Sequence, residues 1–246
     1  MDDDFHNFSG RINGTFNPIP LDVSGIEHYI EQYWQDLQAQ GHNFTNDPLL
    51  MVREKKIRCE SSISFEAQLA NYSYFLFQQD HPDQVPHKYR SKSIAPVLFA
   101  KTTDNYYVLG LMGKHTRHAG KILAPGGALG TEDVFDKNIS IEHCLLREFQ
   151  EETGLQKHHL MHYAPFGYYL AEEYPSLILF YQGNLVLDSK QVFHFFHQHQ
   201  KKQQVPEQEL QELRLVERYG VEQFLSQEHA MFYLPLALRR LRANGL

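Results

Sequence analysis

Apolar residues recur at helical spacing in a stretch near the middle of the chain. Ile141, Leu145 and Phe149 each lie four residues apart. This pattern predicts an amphipathic helix. Ser140 is placed to cap its first turn, and Gly154 is placed to end it, because glycine takes the left-handed conformation without steric cost.

Similar patterns predict the other elements. A Ser24-x-x-Glu27 capping box opens an earlier amphipathic helix, which Gly41 ends. Strands are predicted at 49–58, 61–65, 95–100, 106–112, 163–170 and 176–186, with a late strand within 206–216. A long loop is predicted at 80–90 and closing helices at 221–225 and 234–246.

The composition is that of a globular protein. The chain has 246 residues, of which 42% are hydrophobic and 22% charged. The net charge of -7 argues against general nucleic-acid binding, because no excess of Lys and Arg is available for phosphates. It does not argue against a nucleotide substrate, whose phosphates a metal ion can neutralise. Cys59 and Cys144 are too few for a disulfide framework or a thiolate zinc site.

Location is predicted from two further features. No apolar run approaches the ~18 residues that a membrane span requires, and the N-terminus is acidic where a signal peptide is basic. We therefore expect a cytoplasmic protein without a membrane partner. Secretion without a cleaved signal would leave no trace in the sequence.

Three carboxylates are predicted to share one face of the central helix. Glu148, Glu151 and Glu152 stand at i, i+3 and i+4. Like charges at this spacing destabilise a helix by about 0.2–0.5 kcal/mol per pair. A hard divalent cation would reverse that effect, so the three glutamates are candidate metal ligands.

The stretch from Arg147 to Leu155 resembles the second half of the Nudix box. It reads Arg-Glu-hydrophobic-x-Glu-Glu-x-Gly-hydrophobic, and a Pro-Gly-Gly sequence ending at Gly127 precedes it. The resemblance implies hydrolysis of a nucleoside diphosphate linked to another moiety. It also implies Mg2+ or Mn2+ on Glu148, Glu151 and Glu152, with Arg147 orienting a carboxylate.

The same resemblance implies a fold and a division of the chain. The expected architecture is an α+β fold, a Nudix α/β/α sandwich with a mixed sheet over residues 93–246. Residues 1–92 would form an N-terminal α+β extension packed on it. A Tyr33-Trp34-x-x-Leu37 helix followed by the turn at 44–48 is similar to the leader of Nudix proteins that act on UDP-sugars.

One position departs from the family pattern. Counting back from Arg147 puts Ile139 where the motif has a glutamate, and the interval from Gly127 to Arg147 is six residues longer than the standard spacing. Gly127 is therefore taken as the motif glycine, followed by an insertion at 128–138. The acid in the missing position has three candidate replacements, which are Glu132, Asp133 and Asp136.

Further site residues are predicted around this motif. For substrate binding we predict Lys114 and Arg117 from a basic loop, Gly126 and Gly127, and Tyr168, with Tyr169, Tyr174 and Phe180 as other stacking candidates. A solvated loop is an equally good interpretation of the basic cluster. For the general base we predict Glu209 or Glu173, with Glu148, Glu172 and Glu212 also open.

Three histidines lie among phenylalanines in a polar stretch. His194, His197 and His199 invite a metal site, but the neighbouring Gln-Lys-Lys-Gln-Gln run favours an exposed helix or loop. The hypothesis is thus a metal-dependent diphosphate hydrolase whose partner is a nucleotide-diphosphate small molecule, an NDP-sugar or ADP-ribose-like compound. A homodimer is compatible with it. The alternative is a Nudix-like module that senses a nucleotide without cleaving it, while the acidic charge disfavours RNA cap hydrolysis.

Overall fold

Strands outnumber helices in this computed structural model, which describes residues 4–42, 44–204, 208–217, 220 and 229–243. The strands are β1 (Phe5–Asn7), β2 (Ile12–Asn17), β3 (Pro48–Arg53), β4 (Arg58–Cys59), β5 (Ile63–Asn71), β6 (Ser91–Lys101), β7 (Tyr106–Met112), β8 (Ile122–Leu123), β9 (Val134–Phe135), β10 (Asn138–Ile139), β11 (Leu160–Tyr169), β12 (Ser176–Leu185) and β13 (Leu210–Glu217). The helices are α1 (Glu27–Ala39), α2 (Tyr72–Asp80), α3 (Ile141–Thr153), α4 (Ser189–Gln200) and α5 (Tyr233–Ala243).

The strands join in one mixed sheet. Its continuous order is β1-β11-β12-β6-β3-β5-β2-β10-β9, while β7 links β6 to β8 and β13, and β4 lies on β5. The pairs β12–β6 and β2–β5 are parallel, and the other pairs are antiparallel. Helix α3 packs on β6 at the middle of this order. The mixed sheet with packed helices confirms the predicted α+β class.

Strands from the N-terminal third belong to the same sheet as the rest. Strand β3 pairs with the first residues of β6, where Met51 faces Ser93, and β1 pairs with the end of β11. The expected boundary between residues 92 and 93 therefore falls inside β6. Main-chain hydrogen bonds join the two parts, and the division at this point stays a prediction.

A small second core lies under the two N-terminal helices. It includes Ile30 of α1, Phe77 of α2 and Met51 of β3, and it is separate from the large core around the sheet and α3. The 13 residues of α1 and the 9 of α2 contact each other over this core. The N-terminal part thus has packing of its own and also extends the common sheet.

Two predicted details of the N-terminal part are wrong. Ser24 does not cap α1, because its hydroxyl donates to Asp22 at 2.8 Å and the helix begins only at Glu27. The predicted strand at 49–58 is interrupted, because β3 ends at Arg53 and a short turn of 3-10 helix follows. The aromatic segment that begins at Tyr72 is a helix.

The C-terminal predictions are tested in part. Helix α5 and strand β13 match the predicted elements at 234–246 and 206–216, and the histidine stretch forms α4. The helix predicted at 221–225 lies outside the described residues. Among the helices that the structure describes, none combines the length and the apolarity needed to cross a bilayer.

Candidate active site

Helix α3 has the caps that its sequence predicts. The Ser140 hydroxyl accepts a hydrogen bond from the His143 backbone N–H at 3.1 Å, and Gly154 ends the helix in the left-handed conformation, with φ of 73°. Ile141, Leu145 and Phe149 are buried on the face that packs against the sheet. The two ends and the apolar face thus fix how the helix presents its glutamates.

The glycine pair before the insertion lies between β6 and α3. Gly126 has φ of 152° and forms an isolated bridge with Val97, and a Cβ on it would overlap the Pro96 carbonyl oxygen. A Cβ on Gly127 would overlap the Glu148 carboxylate. Gly126 therefore requires glycine, for its conformation and for the close approach of the β6 backbone, whereas a side chain at position 127 would displace the Glu148 carboxylate.

Glu152 is a buried carboxylate with a backbone donor. Its side chain accepts a hydrogen bond from the Gly126 N–H at 2.8 Å, and the residue is only 5% exposed. Burial, followed by the charges of Glu148 and Glu209, raises the pKa of Glu152 well above its ordinary value. The ionised form is thus disfavoured unless a cation approaches.

Two further carboxylates contribute to the same acidic cluster. Burial raises the pKa of Glu148 to about 7 against the opposing effect of Arg147, and Glu209 and Glu151 add to the rise. Burial and the charge of Glu151 also raise the pKa of Glu209. The Glu151 side chain itself is 59% exposed. The acidic cluster of Glu148, Glu151, Glu152 and Glu209 therefore runs from a buried carboxylate to a solvated one.

Arg147 is the positive charge that holds this cluster. Its guanidinium lies 2.8 Å from a Glu148 oxygen and 3.0 Å from a Glu151 oxygen. Its Nε is buried and has no hydrogen-bond partner among the described residues. The predicted role of Arg147, orientation of a carboxylate, agrees with these contacts.

Two acids of the insertion loop lie against the Arg147 guanidinium. Asp133 is fully buried and lies 3.3 Å from the Arg147 guanidinium, and it also accepts from the Gly130 N–H and contacts His143. Glu132 reaches the same guanidinium at 3.2 Å but is half exposed, while Asp136 lies in the turn between β9 and β10 with φ of 46°. Of the three candidates, Asp133 is best placed to fix the arginine.

A cavity of about 660 Å³ opens beside the acidic cluster. Its lining comes from both parts of the chain, and it includes Glu152 and Glu209, the glycine pair, and Arg117 with its neighbours His115 and His118. The predicted residues Arg117, Gly126, Gly127, Glu152 and Glu209 are thus brought together. Glu148 borders this cavity through Gly127.

Other predicted residues lie elsewhere. Lys114 is exposed and does not line the cavity, although its neighbours do. Tyr168 is 8% exposed and stacks on His6 across the β1–β11 pair. Glu173 lines a separate cavity with Asp4. The structure therefore does not join these three residues to the glutamates.

The structure also shows where the other candidates for base stacking and for the general base lie. Tyr174 lines the main cavity, whereas Phe180 is fully buried in the core and Tyr169 borders the cavity that contains Glu173. Glu212 pairs with Arg214 at the surface, and the exposed Glu172 pairs with Arg90. Among the candidates for the general base, Glu209 and Glu148 alone belong to the acidic cluster.

One wall of the cavity was not predicted. It comes from the N-terminal part and includes Phe44, Asp47, Tyr72 and Phe75. Nothing in the local sequence pattern of these aromatic residues distinguishes a core ring from a cavity wall. Only the pairing of β3 with β6 brings them to the glycine pair.

The acidic cluster carries the oxygen ligands that a hard divalent cation takes. Its side chains are not arranged to bind a cation in this structure. Carboxylate oxygens are the ligands that Mg2+ and Mn2+ take, and the pKa values of Glu148 and Glu152 are raised first by burial and then by the neighbouring carboxylates. Within the described residues, no three His, Cys, Asp or Glu side chains stand close enough to hold a metal ion. Binding would therefore require movement of side chains such as the exposed Glu151.

The histidines of α4 have other roles in the described structure. His199 donates from Nε2 to the Glu151 backbone oxygen at 2.7 Å and lies against Gly154, so it packs the helix on the end of α3. His194 bonds with Gln198 one turn away. These contacts agree with the expected exposed helix.

Comparisons with known proteins give matches only to solved structures. No family model matches the chain, and no curated protein matches it significantly. The chain is similar to the NUDIX domain of Shewanella oneidensis NrtR complexed with ADP ribose, with 12% identity over 72% of this chain and 100% of that one and a TM-score of 0.46. It is also similar to a NUDIX hydrolase from Nitrosomonas europaea, with 15% identity over 62% and 90% of the two chains and a TM-score of 0.42. Likenesses of this size do not by themselves assign an activity.

Proposed function

We propose that the chain is a Nudix-type, metal-dependent hydrolase that cleaves the diphosphate bridge of a nucleoside diphosphate linked to another moiety. The observation that carries this proposal is the acidic cluster, in which Glu148 and Glu152 contact the glycine pair and Glu209 lines the same large cavity as Glu152. The sequence from Arg147 to Leu155 adds the motif that the Nudix family uses for this chemistry.

The proposed ligands of the metal are Glu148, Glu151 and Glu152. A bound Mg2+ or Mn2+ would neutralise phosphate charge and lower the pKa of a water molecule. Arg147, fixed by Asp133, would keep Glu148 in place by a charge-assisted hydrogen bond, while Glu151 would leave its contact with Arg147 to reach the metal. A bound cation would offset the cost of holding several ionised carboxylates in a buried region.

Glu209 is the proposed general base. It lines the cavity beside Glu152, and burial raises its pKa, which makes the carboxylate a better proton acceptor near neutral pH. Arg117 lies on the same lining and carries a guanidinium suited to a phosphate. The substrate would thus have its diphosphate between Arg117 and the acidic cluster.

The test is a turnover screen over UDP-sugars, ADP-ribose, dinucleoside polyphosphates and NADH, with separation of the products by chromatography. We expect Mg2+- or Mn2+-dependent release of a nucleoside monophosphate. The double variant Glu151→Gln, Glu152→Gln should lose at least about a hundredfold in rate while remaining folded. Glu142→Gln is the matched control, because Glu142 is an exposed glutamate of the same helix that pairs with Lys157. Undiminished turnover in the double variant would reject the assignment.

A second candidate is a nucleotide-binding module that does not hydrolyse its ligand. The arrangement that favours it is the engagement of Glu148 and Glu151 by Arg147, with no metal-ready group of side chains among the described residues. Calorimetry with the same nucleotides, followed by product analysis with and without Mg2+, separates the two. Binding without any product would favour the module.

A further inference from the structure

Two chemically different groups of side chains line the large cavity. One group is acidic and consists of Glu152 and Glu209. The other is an aromatic wall, which we define as Phe44, Tyr72 and Phe75, all from the N-terminal part of the chain. A ligand in this cavity would therefore meet both carboxylates and flat aromatic rings.

We propose that the aromatic wall is the subsite that binds the nucleobase of the substrate by stacking. This inference rests on the proposed function, because it takes the diphosphate to lie beside the acidic cluster. Stacking on aromatic rings is the common way to hold a base, since every base has a flat π-face. The wall would give the N-terminal part a role in substrate recognition.

The rings of the wall form a connected set. The Phe44 and Tyr72 rings lie 6.3 Å apart at an angle of 84°, and the Tyr72 and Phe75 rings lie 5.9 Å apart and nearly parallel, at 19°. Tyr72 and Phe75 are three residues apart on α2, so both point to the same side of the helix. All three side chains are only half buried, which leaves ring surface for a ligand.

Main-chain contacts fix the wall before any ligand arrives. The Tyr72 N–H donates to the Asp47 carbonyl at 3.0 Å, and the Ser73 N–H donates to the Asn46 side chain at 2.8 Å. The turn that carries Phe44 is therefore attached to the first turn of α2. A preformed wall binds a flat ligand with little loss of conformational entropy.

The wall and the phosphate end belong to one chamber. Burial raises the pKa of Tyr72, the charge of Arg117 lowers it, and the charge of Glu209 raises it again. The tyrosine thus lies near both the proposed phosphate ligand and the proposed base. Tyr174 also lines this cavity.

The rim of the wall offers a hydrogen-bond acceptor. Asp47 and Thr45 both line the cavity, and the Thr45 hydroxyl donates to the Asp47 carboxylate. The second carboxylate oxygen of Asp47 can accept from a ring N–H or a ribose hydroxyl. A base with an N–H on its edge, attached to ribose, matches the rings and this acceptor together.

The test measures binding separately from cleavage. Isothermal titration in EDTA compares ADP and UDP with two probes that lack a base, pyrophosphate and ribose 5-phosphate. We expect at least one nucleoside diphosphate to bind the wild type about tenfold or more tightly than either base-free probe. Tyr72→Leu should weaken binding of that nucleoside diphosphate about tenfold and leave pyrophosphate binding unchanged. Tyr72→Phe should bind the nucleoside diphosphate as tightly as the wild type.

Controls keep the result clear if one variant folds poorly. Phe75→Leu removes a second ring of the wall and should also weaken the nucleoside diphosphate selectively. Tyr29→Leu is the matched control, because Tyr29 is a half-exposed tyrosine on α1 outside the cavity. Equal loss of pyrophosphate and nucleotide binding in the wall variants, or no preference for the base in the wild type, would overturn the inference.

Failure of the subsite and failure of the hydrolase are distinguishable. Base-dependent binding that Tyr72→Leu weakens, without turnover of any nucleotide, would support the subsite and reject hydrolysis. Metal-dependent turnover with a KM that Tyr72→Leu leaves unchanged would support hydrolysis and overturn the subsite. The two proposals together predict a raised KM and an unchanged kcat in Tyr72→Leu.

Discussion

Glu148→Gln should stabilise the metal-free protein at pH 8. Glu148 is 14% exposed in its side chain, and burial raises its pKa from the ordinary 4.5 to about 7. At about 1.4 kcal/mol per pH unit, ionisation of Glu148 costs the folded state ~3 kcal/mol at pH 8. Glutamine avoids this cost but weakens the contact with Arg147. We therefore expect the free energy of unfolding to increase by about 1–3 kcal/mol.

The stabilisation by Glu148→Gln should increase as the pH rises. Because the pKa is raised in the folded state, the protein gains stability from proton binding that is fully present below pH 4.5 and is lost as the pH rises to about 7. Glutamine carries no charge at any pH. The difference between Glu148→Gln and the wild type should therefore be largest at pH 8 and small at pH 5.

Urea unfolding in EDTA at pH 5 and pH 8 measures the effect. Glu142→Gln is the control, because that glutamate is exposed and its change should shift the free energy of unfolding by less than about 1 kcal/mol. Added Mg2+ should stabilise the wild type and have less effect on Glu148→Gln. A variant that is less stable than the wild type at pH 8 in EDTA would refute the reasoning.

Three further substitutions test the surroundings of the site. Lys92→Met should destabilise the protein by about 3 kcal/mol in urea unfolding, because the buried Lys92 ammonium donates to three backbone carbonyls of the β11–β12 loop and pairs with Glu54. Asp133→Asn should lower kcat with little change in KM, since Arg147 loses the buried charge that fixes it; an unchanged kcat would contradict this role. Asp80→Asn should raise KM about two- to fivefold at constant kcat, because Asp80 pairs with Arg117 at the cavity. Steady-state kinetics measures both parameters, and an unchanged KM would contradict this role of the pair.

Local chemistry made α3 predictable from the sequence. Its cap at Ser140 and its end at Gly154 depend on backbone rules that act within a few residues, and both are present in the structure. Ser24 shows the limit of the same rules. Its hydroxyl donates to Asp22, two residues away, and the helix begins only at Glu27, so the expected cap does not form.

Long-range pairing decided the features that the sequence did not predict. The orientation of Tyr168 depends on a register shift between Pro165 and Gly167, which alternation along the strand does not reveal. The choice of Asp133 over Asp136 depends on how the insertion loop folds back on Arg147. The aromatic wall exists because β3 pairs with β6 more than 35 residues later in the chain, a contact that no local pattern encodes.

The most direct test of the account is a crystal structure of the protein soaked with Mn2+ and a non-hydrolysable nucleoside diphosphate analogue, with the metal located by its anomalous signal. We predict a peak at ligand distance from carboxylate oxygens of at least two of Glu148, Glu151 and Glu152, with Glu151 moved from its contact with Arg147. A structure in which the analogue binds while these glutamates keep their contacts with Arg147 and Gly126, and no metal peak lies beside them, would contradict the central claim.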